Sequence, residues 1–588
     1  MRFPSLALLV EHAVAVLRRF PWTLGAGTVA AGAAIVASIS GTDDVWARLS
    51  FVAALGLPVT VAITLLAETR GWSAGARTLA ILGGILGLTA FFFAWPGIDR
   101  RHDAIRYFQL SAALHLGVAF LPFLGADETV AFWQYNRRLF LGFLRALVFS
   151  GVLYVGIAIA LGALDRLFGV DIDGETYVRI WFIVAFVVNT WIFLAAVPEH
   201  LAALEGDADY PRALKVFAQY ILTPLAFTYL VILLAYLIKI VAGGEWPSGW
   251  IGWLVASVSV TGLLGFLLVH PLRADPAEGW IRAYARWLFV GLVPAALMLL
   301  VAFWKRILPY GLTEPRMLGL VLGVWLLGIA LLFTLRGGAS IRTIPITLAA
   351  LLLLALYGPL SLTRVSISSQ GRRLARMLQT TDTAGVNARE ASAALRFLID
   401  HNAGNEIAAR IGRELPPIDW KSLPRYGNER DSIGREIMEL AGATYVPQYA
   451  YAGENASFYL SSTDPISVAG YDWALPVASS DAGVRVLGDD TVNVVSQAPG
   501  SGVARIRVGT DTLEFDLRPL ARRHADSLQP RASVPAELLR IEAGANGRRS
   551  ALAVSLLSGT RTGDSVAVGY WSGSVLLGEA GERGSTGR

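Results

Sequence analysis

Polar side chains recur within one long apolar stretch near the middle of the chain. Tyr229 and Tyr236 are seven residues apart, and Lys239 follows Tyr236 by three. On a helix each of these pairs shares a face, and Thr228 and Pro224 lie close by. Such a stripe, next to a carbonyl freed by proline, could line a polar path for a solute. Alternatively, Tyr236 and Lys239 anchor the helix at the lipid headgroups, while the threonine bonds to its own backbone and the proline only kinks the helix.

Three further polar residues fall inside apolar stretches. His115 lies in mid-stretch with Ser111 one turn earlier. An ionisable residue at membrane depth is a candidate for function, and a neutral imidazole bonded to a hydroxyl is the alternative. Asn189 is more simply a residue that hydrogen-bonds between helices. Arg145 is expected to extend to the cytoplasmic edge of the membrane or to mark a later start of its helix.

Catalytic and metal-binding patterns are sparse. Glu205, Asp207 and Asp209 follow Glu199 and His200 and could bind a divalent cation, but no metal-motif spacing is present and a solvated helix end is favoured. The chain contains no Cys, which excludes disulfides, thiolate nucleophiles and Cys-ligated metals. The later histidines, His401 and His524, lie in no recognisable catalytic setting. We therefore expect a protein without catalytic residues, bound metal or cofactor.

Membrane-spanning helices are needed to position these residues. Of the 588 residues, 54% are hydrophobic and 16% are charged, against roughly 25% charged in soluble domains. Apolar runs of membrane-spanning length follow one another up to about Leu362, and none occurs after it. We predict an all-α polytopic membrane bundle of about eleven transmembrane helices in residues 1–362. The predicted spans are 23–40, 49–66, 78–94, 107–124, 139–164, 177–197, 219–241, 250–269, 287–303, 317–335 and 344–362.

The tail is predicted to be α+β. Residues 363–442 show helical spacing and form a helical connector, with helices expected at 370–379, 388–400, 405–414 and 432–441. Short alternating runs then recur about every ten residues, which predicts a β-sandwich-like domain over 443–580. Residues 581–588 are expected to be disordered. Four aromatic residues could form a ligand platform, although alternation in a half-buried sheet explains them better: Phe458, Tyr459, Tyr471 and Trp473.

Four segments of the chain resemble one protein family. They are the lead-in Asp209-Tyr210-Pro211 with Leu214-Lys215, the run QYILTPLAFTYLVILLAYLIKI from Gln219, the turn Trp246-Pro247-Ser248-Gly249-Trp250, and Val365-Ser366 to Gln370 with Arg373-Leu374. The chain resembles the bacterial inner-membrane proteins grouped as domain-of-unknown-function family number 4153, most specifically over residues 139–379. The resemblance implies a membrane architecture, and it supplies no catalytic residues.

The distribution of charge along the chain indicates which partners the protein binds and how it is oriented in the membrane. The net charge is +5, and residues 363–588 are neutral with 25 basic and 25 acidic side chains. The excess therefore lies in the membrane half, as expected for anchoring in the lipid bilayer and not for binding nucleic acid. We expect a retained first helix, a cytoplasmic N-terminus and a tail outside the cytoplasm.

Two functional classes stay open. One is a non-enzymatic envelope or sensor protein whose tail binds an envelope partner. The other is a transporter or channel-like protein with a path lined by spans six to eight. The first is favoured because no internal repeat typical of transporters is evident.

Overall fold

The fold is taken from a computed structural model of the whole chain. It describes residues 6–40, 44–98, 100–125, 129–207, 209–244, 251–379, 386–420, 423, 428–446, 455–462, 464–480, 484–487, 490–495, 502–525, 531–545, 548–562 and 565–580. The predicted turn at 246–250 and the predicted disordered end at 581–588 lie outside the described residues.

Ten helices of the described chain are long and apolar enough to cross a membrane, and a shorter apolar helix follows them. This confirms the predicted all-α bundle of about eleven spans. The bundle helices are α1 (Leu6–Arg19), α2 (Pro21–Ser40), α3 (Asp44–Thr69), α4 (Ala74–Ala94), α5 (Arg101–Phe120), α6 (Thr129–Phe168), α7 (Gly174–Ile183), α8 (Asn189–Leu194), α9 (Arg212–Val216), α10 (Thr223–Gly243), α11 (Ile251–Val269), α12 (Gly279–Tyr310), α13 (Glu314–Leu335) and α14 (Thr343–Leu354). Helix α1 precedes the first span.

Two of the spans contain a π-helical segment. Val184–Val188 joins α7 to α8, and Phe217–Leu222 joins α9 to α10. Pro224 lies just after the second segment. Proline has no N–H to donate and its ring clashes with the carbonyl four residues earlier, so the backbone before it must rearrange. The wider π turn provides that space, with the Thr223 N–H bonded to the Ala218 carbonyl.

The last bundle helix is shorter than the predicted span 344–362. Helix α14 ends at Leu354, and the chain then turns through Gly358, which has a φ of +85° that favours glycine. Helix α14 packs along α5. The buried Gln109 side chain of α5 donates a hydrogen bond of 2.6 Å to the Leu352 carbonyl. That carbonyl lies in the last turn, where the helix supplies no partner of its own.

The two ends of the bundle can be told apart by side-chain contacts. Arg19, at the end of α1, donates to the Glu68 carboxylate and to the Val197 carbonyl. At the opposite end Gln370 donates to the carbonyls of Tyr310 and Leu312. We call these the N-terminal end and the connector end. Because α14 runs between them, the chain leaves the bundle at the end opposite to its entry.

Aromatic rings pack the interior of the bundle toward its N-terminal end. Phe266 of α11, Phe289 of α12 and Phe333 of α13 are buried, with ring centroids 4.6–5.5 Å apart. Glycines allow the neighbouring helices to approach closely. A Cβ on Gly291 would lie 2.8 Å from a methyl carbon of Leu230. Small residues at helix contacts are the usual means of close packing in membranes, where the hydrophobic effect does not drive association.

By internal packing the chain forms two units, Met1–Arg376 with Phe397–Tyr426, and Met377–Arg396 with Gly427–Arg588. The predicted connector 363–442 is thus shared between the units. Its helices are α15 (Leu362–Gln379), α16 (Val386–Asp400), α17 (Gly404–Ile411) and α18 (Asn428–Leu440). All four begin within eight residues of their predicted starts.

The second unit contains two sheets that are antiparallel except for the parallel β1–β7 pair, which confirms the β-sandwich-like prediction. The strands are β1 (Asn455–Ser461), β2 (Trp473–Ala478), β3 (Val484–Leu487), β4 (Asp490–Val494), β5 (Val503–Val508), β6 (Asp511–Asp516), β7 (Arg531–Ser533), β8 (Arg540–Ala545), β9 (Arg548–Thr562) and β10 (Ser565–Ala580). One sheet has the order β2-β10-β9-β1-β7 with β8 also on β9, and the other has β3-β4-β5-β6. Residues of both sheets, such as Leu557 and Phe515, share one core.

The alternating run at residues 512–520 is a strand only in its first part. Strand β6 ends at Asp516, and helix α19 (Arg518–Ala525) follows. The Asp516 carboxylate accepts a hydrogen bond from the Arg518 N–H. This side-chain-to-backbone bond favours the start of a helix over continuation of the strand.

Candidate functional site

The predicted polar stripe lies on the outer face of its helix. Thr228, Tyr229, Lys239 and Pro224 are exposed on the protein, and Tyr236 is half-buried against the bundle core. Within the described chain, no hydrogen bond joins any two of these five residues. Their positions suit contact with lipid and headgroups, as in the anchoring alternative.

The inward face of the same helix carries different residues. Gln219, Thr223, Ala226 and Leu230 are buried and follow one another at spacings of four, three and four. The Thr223 hydroxyl is buried without a hydrogen-bond partner among the described atoms. The polar groups that face the interior of the bundle therefore lie in and just after the π-helical segment, before the predicted stripe.

His115 and Asn189 have separate surroundings. His115 is exposed, and its Nδ1 lies 2.8 Å from the Ser111 carbonyl of its own helix. Asn189 accepts a hydrogen bond of 3.1 Å from the Ser150 hydroxyl of α6. Neither residue is brought to Tyr229, so the described structure does not assemble the predicted candidates at one cavity.

The aromatic residues of the β-rich unit are also apart. Tyr459 is on β1 and Trp473 on β2, and two strands lie between these in the sheet. Tyr471 precedes β2 and has the Arg540 guanidinium 5.1 Å from its ring centroid. The side chains of Phe458 and His524 lie outside the described residues.

The densest group of buried ionisable side chains lies elsewhere, at the connector end of the bundle. We call it the junction cluster, and its members come from three helix termini: His102, Asp103, Arg106, Glu314 and His401. Glu314 begins α13, His102 and Asp103 lie in the first turn of α5, and His401 follows the last residue of α16. Carboxylates are favoured in the first turn of a helix because the backbone N–H groups there are unpaired.

A buried hydrogen bond links the connector to the bundle. His401 Nε2 lies 2.8 Å from Glu314 Oε1, and the two side chains are 7% and 5% exposed. His401 Nδ1 lies 2.6 Å from the Phe397 carbonyl. A carbonyl only accepts, so Nδ1 carries a proton, and a further proton must lie between Nε2 and the carboxylate. The pair is therefore either an imidazolium with a carboxylate or a neutral imidazole with a carboxylic acid.

The other half of the cluster packs against this pair. The His102 ring stacks on the His401 ring at 4.2 Å, and His102 Nε2 lies 3.2 Å from Asp103 Oδ2. Asp103 is 2% exposed, and Arg106 lies 3.3 Å from its Oδ1. With an angle of 28° between the two rings, the imidazole nitrogens lie in nearly parallel planes and cannot converge on one ion. The described residues hold no group of three potential ligands placed for a metal.

The junction cluster is nearly closed to solvent except at Arg106. What it can do chemically is hold protons in a buried network and fix segment 397–426 to the bundle.

Comparison with known proteins places the chain in a family. A family model described as a domain of unknown function, DUF4153, matches residues 27–394, which is well over half of the chain. The chain belongs to the DUF4153 family. A relative in Pasteurella multocida, described as an uncharacterized protein, is 26% identical over 277 residues. That match covers 46% of this chain and 45% of the relative, so the chain matches less than half of the relative's length. No solved structure matches the chain.

The family match confirms the resemblance read from the sequence and bears on the cluster. The DUF4153 segment contains His102, Asp103, Arg106 and Glu314, but it ends before His401. The bundle half of the junction cluster therefore lies in the family segment, while the connector half lies beyond it.

The acidic loop of this DUF4153 protein, residues 199–209, is used for internal bonds. The Glu205 carboxylate accepts from the Ala131 N–H at 2.7 Å, in the first turn of α6. Asp207 lies 2.8 Å from Arg138, and Asp209 lies 3.3 Å from the buried Arg137. The hydrogen bond from the Asp209 N–H, with a further one from Arg138, holds the pKa of Asp207 below its usual range. These acids cap a helix and pair with arginines.

Sequence reasoning missed the junction cluster because its members are far apart in the chain. Glu314 and His401 are separated by 87 residues, and neither is part of a local motif. A usable signal did exist. Each member lies at the terminus of a predicted helix, and counting the spans places these termini at the same end of the bundle.

Proposed function

We propose that this DUF4153 protein is a non-enzymatic envelope protein of the bacterial inner membrane, with a bundle that anchors the β-rich unit for binding an envelope partner. The observation that carries the proposal is the buried His401–Glu314 hydrogen bond. It holds segment 397–426 to the bundle, and in the sequence this segment lies between the two parts of the β-rich unit. A multi-pass bundle that also holds the chain leading to the β-rich unit suits a protein that anchors this unit at the membrane.

The orientation is part of the proposal. We place the N-terminus in the cytoplasm and the connector end of the bundle outside it. The entry and exit of the chain at opposite ends support this orientation, as do the basic residues Arg18 and Arg19 at the N-terminal end. A reporter active only outside the cytoplasm should be active when fused after Arg588 and silent after Arg336. The reverse pattern would contradict the orientation.

Transport is the second candidate, and one observation favours it. Spans six and seven each contain a π-helical segment, a rare feature that often marks functional sites. The buried Thr223 hydroxyl lies next to the second segment. The outward position of Tyr229 and Lys239, however, gives no support to a path lined by this stripe.

Complementation of a gene deletion distinguishes the two candidates. The phenotype to score is envelope integrity, measured as sensitivity to detergents and to large antibiotics. Full-length Glu314→Ala should fail to complement while remaining in the membrane at its normal level, because the bond that holds segment 397–426 to the bundle is lost. Thr223→Val, which removes only the buried hydroxyl, should complement fully, and Tyr229→Phe serves as the exposed-hydroxyl control. Failure of Thr223→Val with success of Glu314→Ala would favour transport and contradict the anchoring proposal.

A further inference from the structure

A groove opens on the side of the bundle near its N-terminal end. Its volume is about 710 Å³, and one wall is a face of α6 while the other includes Ala195, Ala196 and Pro211. Three arginines line it: Arg137, Arg138 and Arg145. The apolar part of the groove is formed by the same face of α6. Its residues are Leu141, Leu144, Val148 and Phe149.

The depth of Arg145 follows from the composition of α6. Between Arg145 and Asp165 lie nineteen consecutive uncharged residues. At a rise of 1.5 Å per residue they span about 28 Å, close to the thickness of a hydrocarbon core. Arg145 therefore lies at the boundary between headgroups and acyl chains. Its helix already begins at Thr129, so of the two expectations for this residue, extension to the membrane edge fits the structure.

The guanidinium groups are not equally neutralised. Arg137 is 5% exposed and lies near Asp207 and Asp209, yet its buried Nε has no partner among the described atoms. Arg138 lies 2.8 Å from Asp207 and keeps further N–H groups for another acceptor. Arg145 makes a hydrogen bond of 3.4 Å to the Leu141 carbonyl of its own helix, and no described carboxylate pairs with it. Three cations thus face two carboxylates, with the unmatched charge at the headgroup boundary.

The apolar part of the groove continues from Arg145 toward the membrane centre. Leu144, Val148 and Phe149 are 39%, 57% and 59% exposed on the protein. Gly142 allows α6 to lie close to Ala196, because a Cβ there would lie 2.7 Å from the Ala196 Cβ. A ligand that fits must have an anionic head at the level of Arg145 and an apolar chain beyond it.

We infer that this groove binds an anionic phospholipid, with its phosphate at Arg138 and Arg145 and an acyl chain along Leu144, Val148 and Phe149. A basic pocket between membrane helices is a recurring way to bind anionic headgroups. A free phosphate would match the charge but leave the apolar wall uncovered. The inference does not depend on the proposed function, since an anchor and a transporter could both hold such a lipid.

The test measures lipid retention by the full-length protein in mild detergent. Phosphatidylglycerol is titrated against the purified protein, and binding is followed by native mass spectrometry, with zwitterionic phosphatidylcholine as the comparison without net charge. Arg145→Gln should weaken phosphatidylglycerol binding by about fivefold, the worth of one basic residue at a membrane surface. Arg145→Lys, which keeps the charge, should restore most of it.

Two further variants make the result specific. Arg166→Gln removes an exposed arginine at the other end of the same helix and should leave binding unchanged. Ala195→Trp fills the exposed side of the groove without altering charge and should reduce binding as strongly as Arg145→Gln. An unchanged melting temperature for both groove variants excludes misfolding as the cause.

Three results would overturn the inference. The first is equal loss in Arg145→Gln and Arg166→Gln, which would mean general attraction of lipids to basic residues. The second is retention of phosphatidylcholine at the same level as phosphatidylglycerol. The third is displacement of the lipid by millimolar inorganic phosphate, which would indicate a site for a free anion.

Discussion

Replacing Glu314 by alanine should detach segment 397–426 from the bundle locally. Glu314 and His401 are 5% and 7% exposed, and removing one partner of a buried pair costs about 3–5 kcal/mol of stability because the other is left unpaired. We expect a loss of about 3 kcal/mol in the free energy of opening for Glu314→Ala. Glu314→Gln keeps an acceptor for the imidazole N–H, and the expected loss is about 1 kcal/mol.

The absence of Cys from the chain supplies the assay. Ile407 of α17 is fully buried in the same segment, so an Ile407→Cys variant carries a single thiol that reacts only when the segment opens. In non-denaturing detergent, a loss of 3 kcal/mol should accelerate thiol labelling by about a hundredfold. The same background variant with Glu314 intact is the reference.

A double-mutant cycle isolates the pair from the ring contacts of His401. His401→Ala also removes the stacking on Phe397 and His102, so its single cost should exceed that of Glu314→Ala. The coupling energy between positions 314 and 401 should be about 2 kcal/mol. Labelling that changes less than twofold in Glu314→Ala, or a coupling near zero, would refute the idea that this bond holds the connector.

Three other outcomes are expected from the packing and the loop. Gly319→Ala should lower the melting temperature, since an added Cβ would lie 2.1 Å from the Phe303 ring and overpacking costs about 1–3 kcal/mol, whereas Gly328→Ala on the same helix meets nothing within 4 Å and should be neutral. Gln109→Leu should cost about 1–2 kcal/mol in denaturant unfolding by removing the donor to a carbonyl in the last turn of α14. Because the pKa of Asp207 is lowered from 3.8, its contribution to stability is complete above that value and is lost as pH falls through the lower folded pKa. Melting temperatures below about pH 4 should therefore fall less steeply in Asp207→Asn than in the wild type.

The spans could be read from the sequence because the hydrocarbon core imposes a minimum length on apolar runs. The two-sheet tail could be predicted because short runs of alternating apolar and polar residues, separated by turn signals, are typical of β-sandwiches and small barrels. Helix faces were harder. In a membrane the outward face is as apolar as the inward one, so Tyr229 and Thr223 looked equivalent in the sequence. The burial of Gln219, Thr223 and Ala226 becomes visible only once the neighbouring helices are in place.

The junction cluster illustrates a different limit. His401 has no local motif, and its partner Glu314 begins a helix almost ninety residues earlier. A carboxylate in a first helical turn is ordinarily explained by the helix dipole alone. Only the return of the connector to the bundle turns that carboxylate into one half of a buried bond.

The short last helix of the bundle has a consequence for the lipid around it. At 12 residues α14 is about 18 Å long, against roughly 30 Å for the hydrocarbon core. Leu353 and Leu354 are exposed at its end, so lipid beside α14 meets a helix that is shorter than the hydrocarbon core. We expect the bilayer to thin beside it. This side of the protein should therefore collect short-chain lipids, and thicker membranes should strain α14 before any other span.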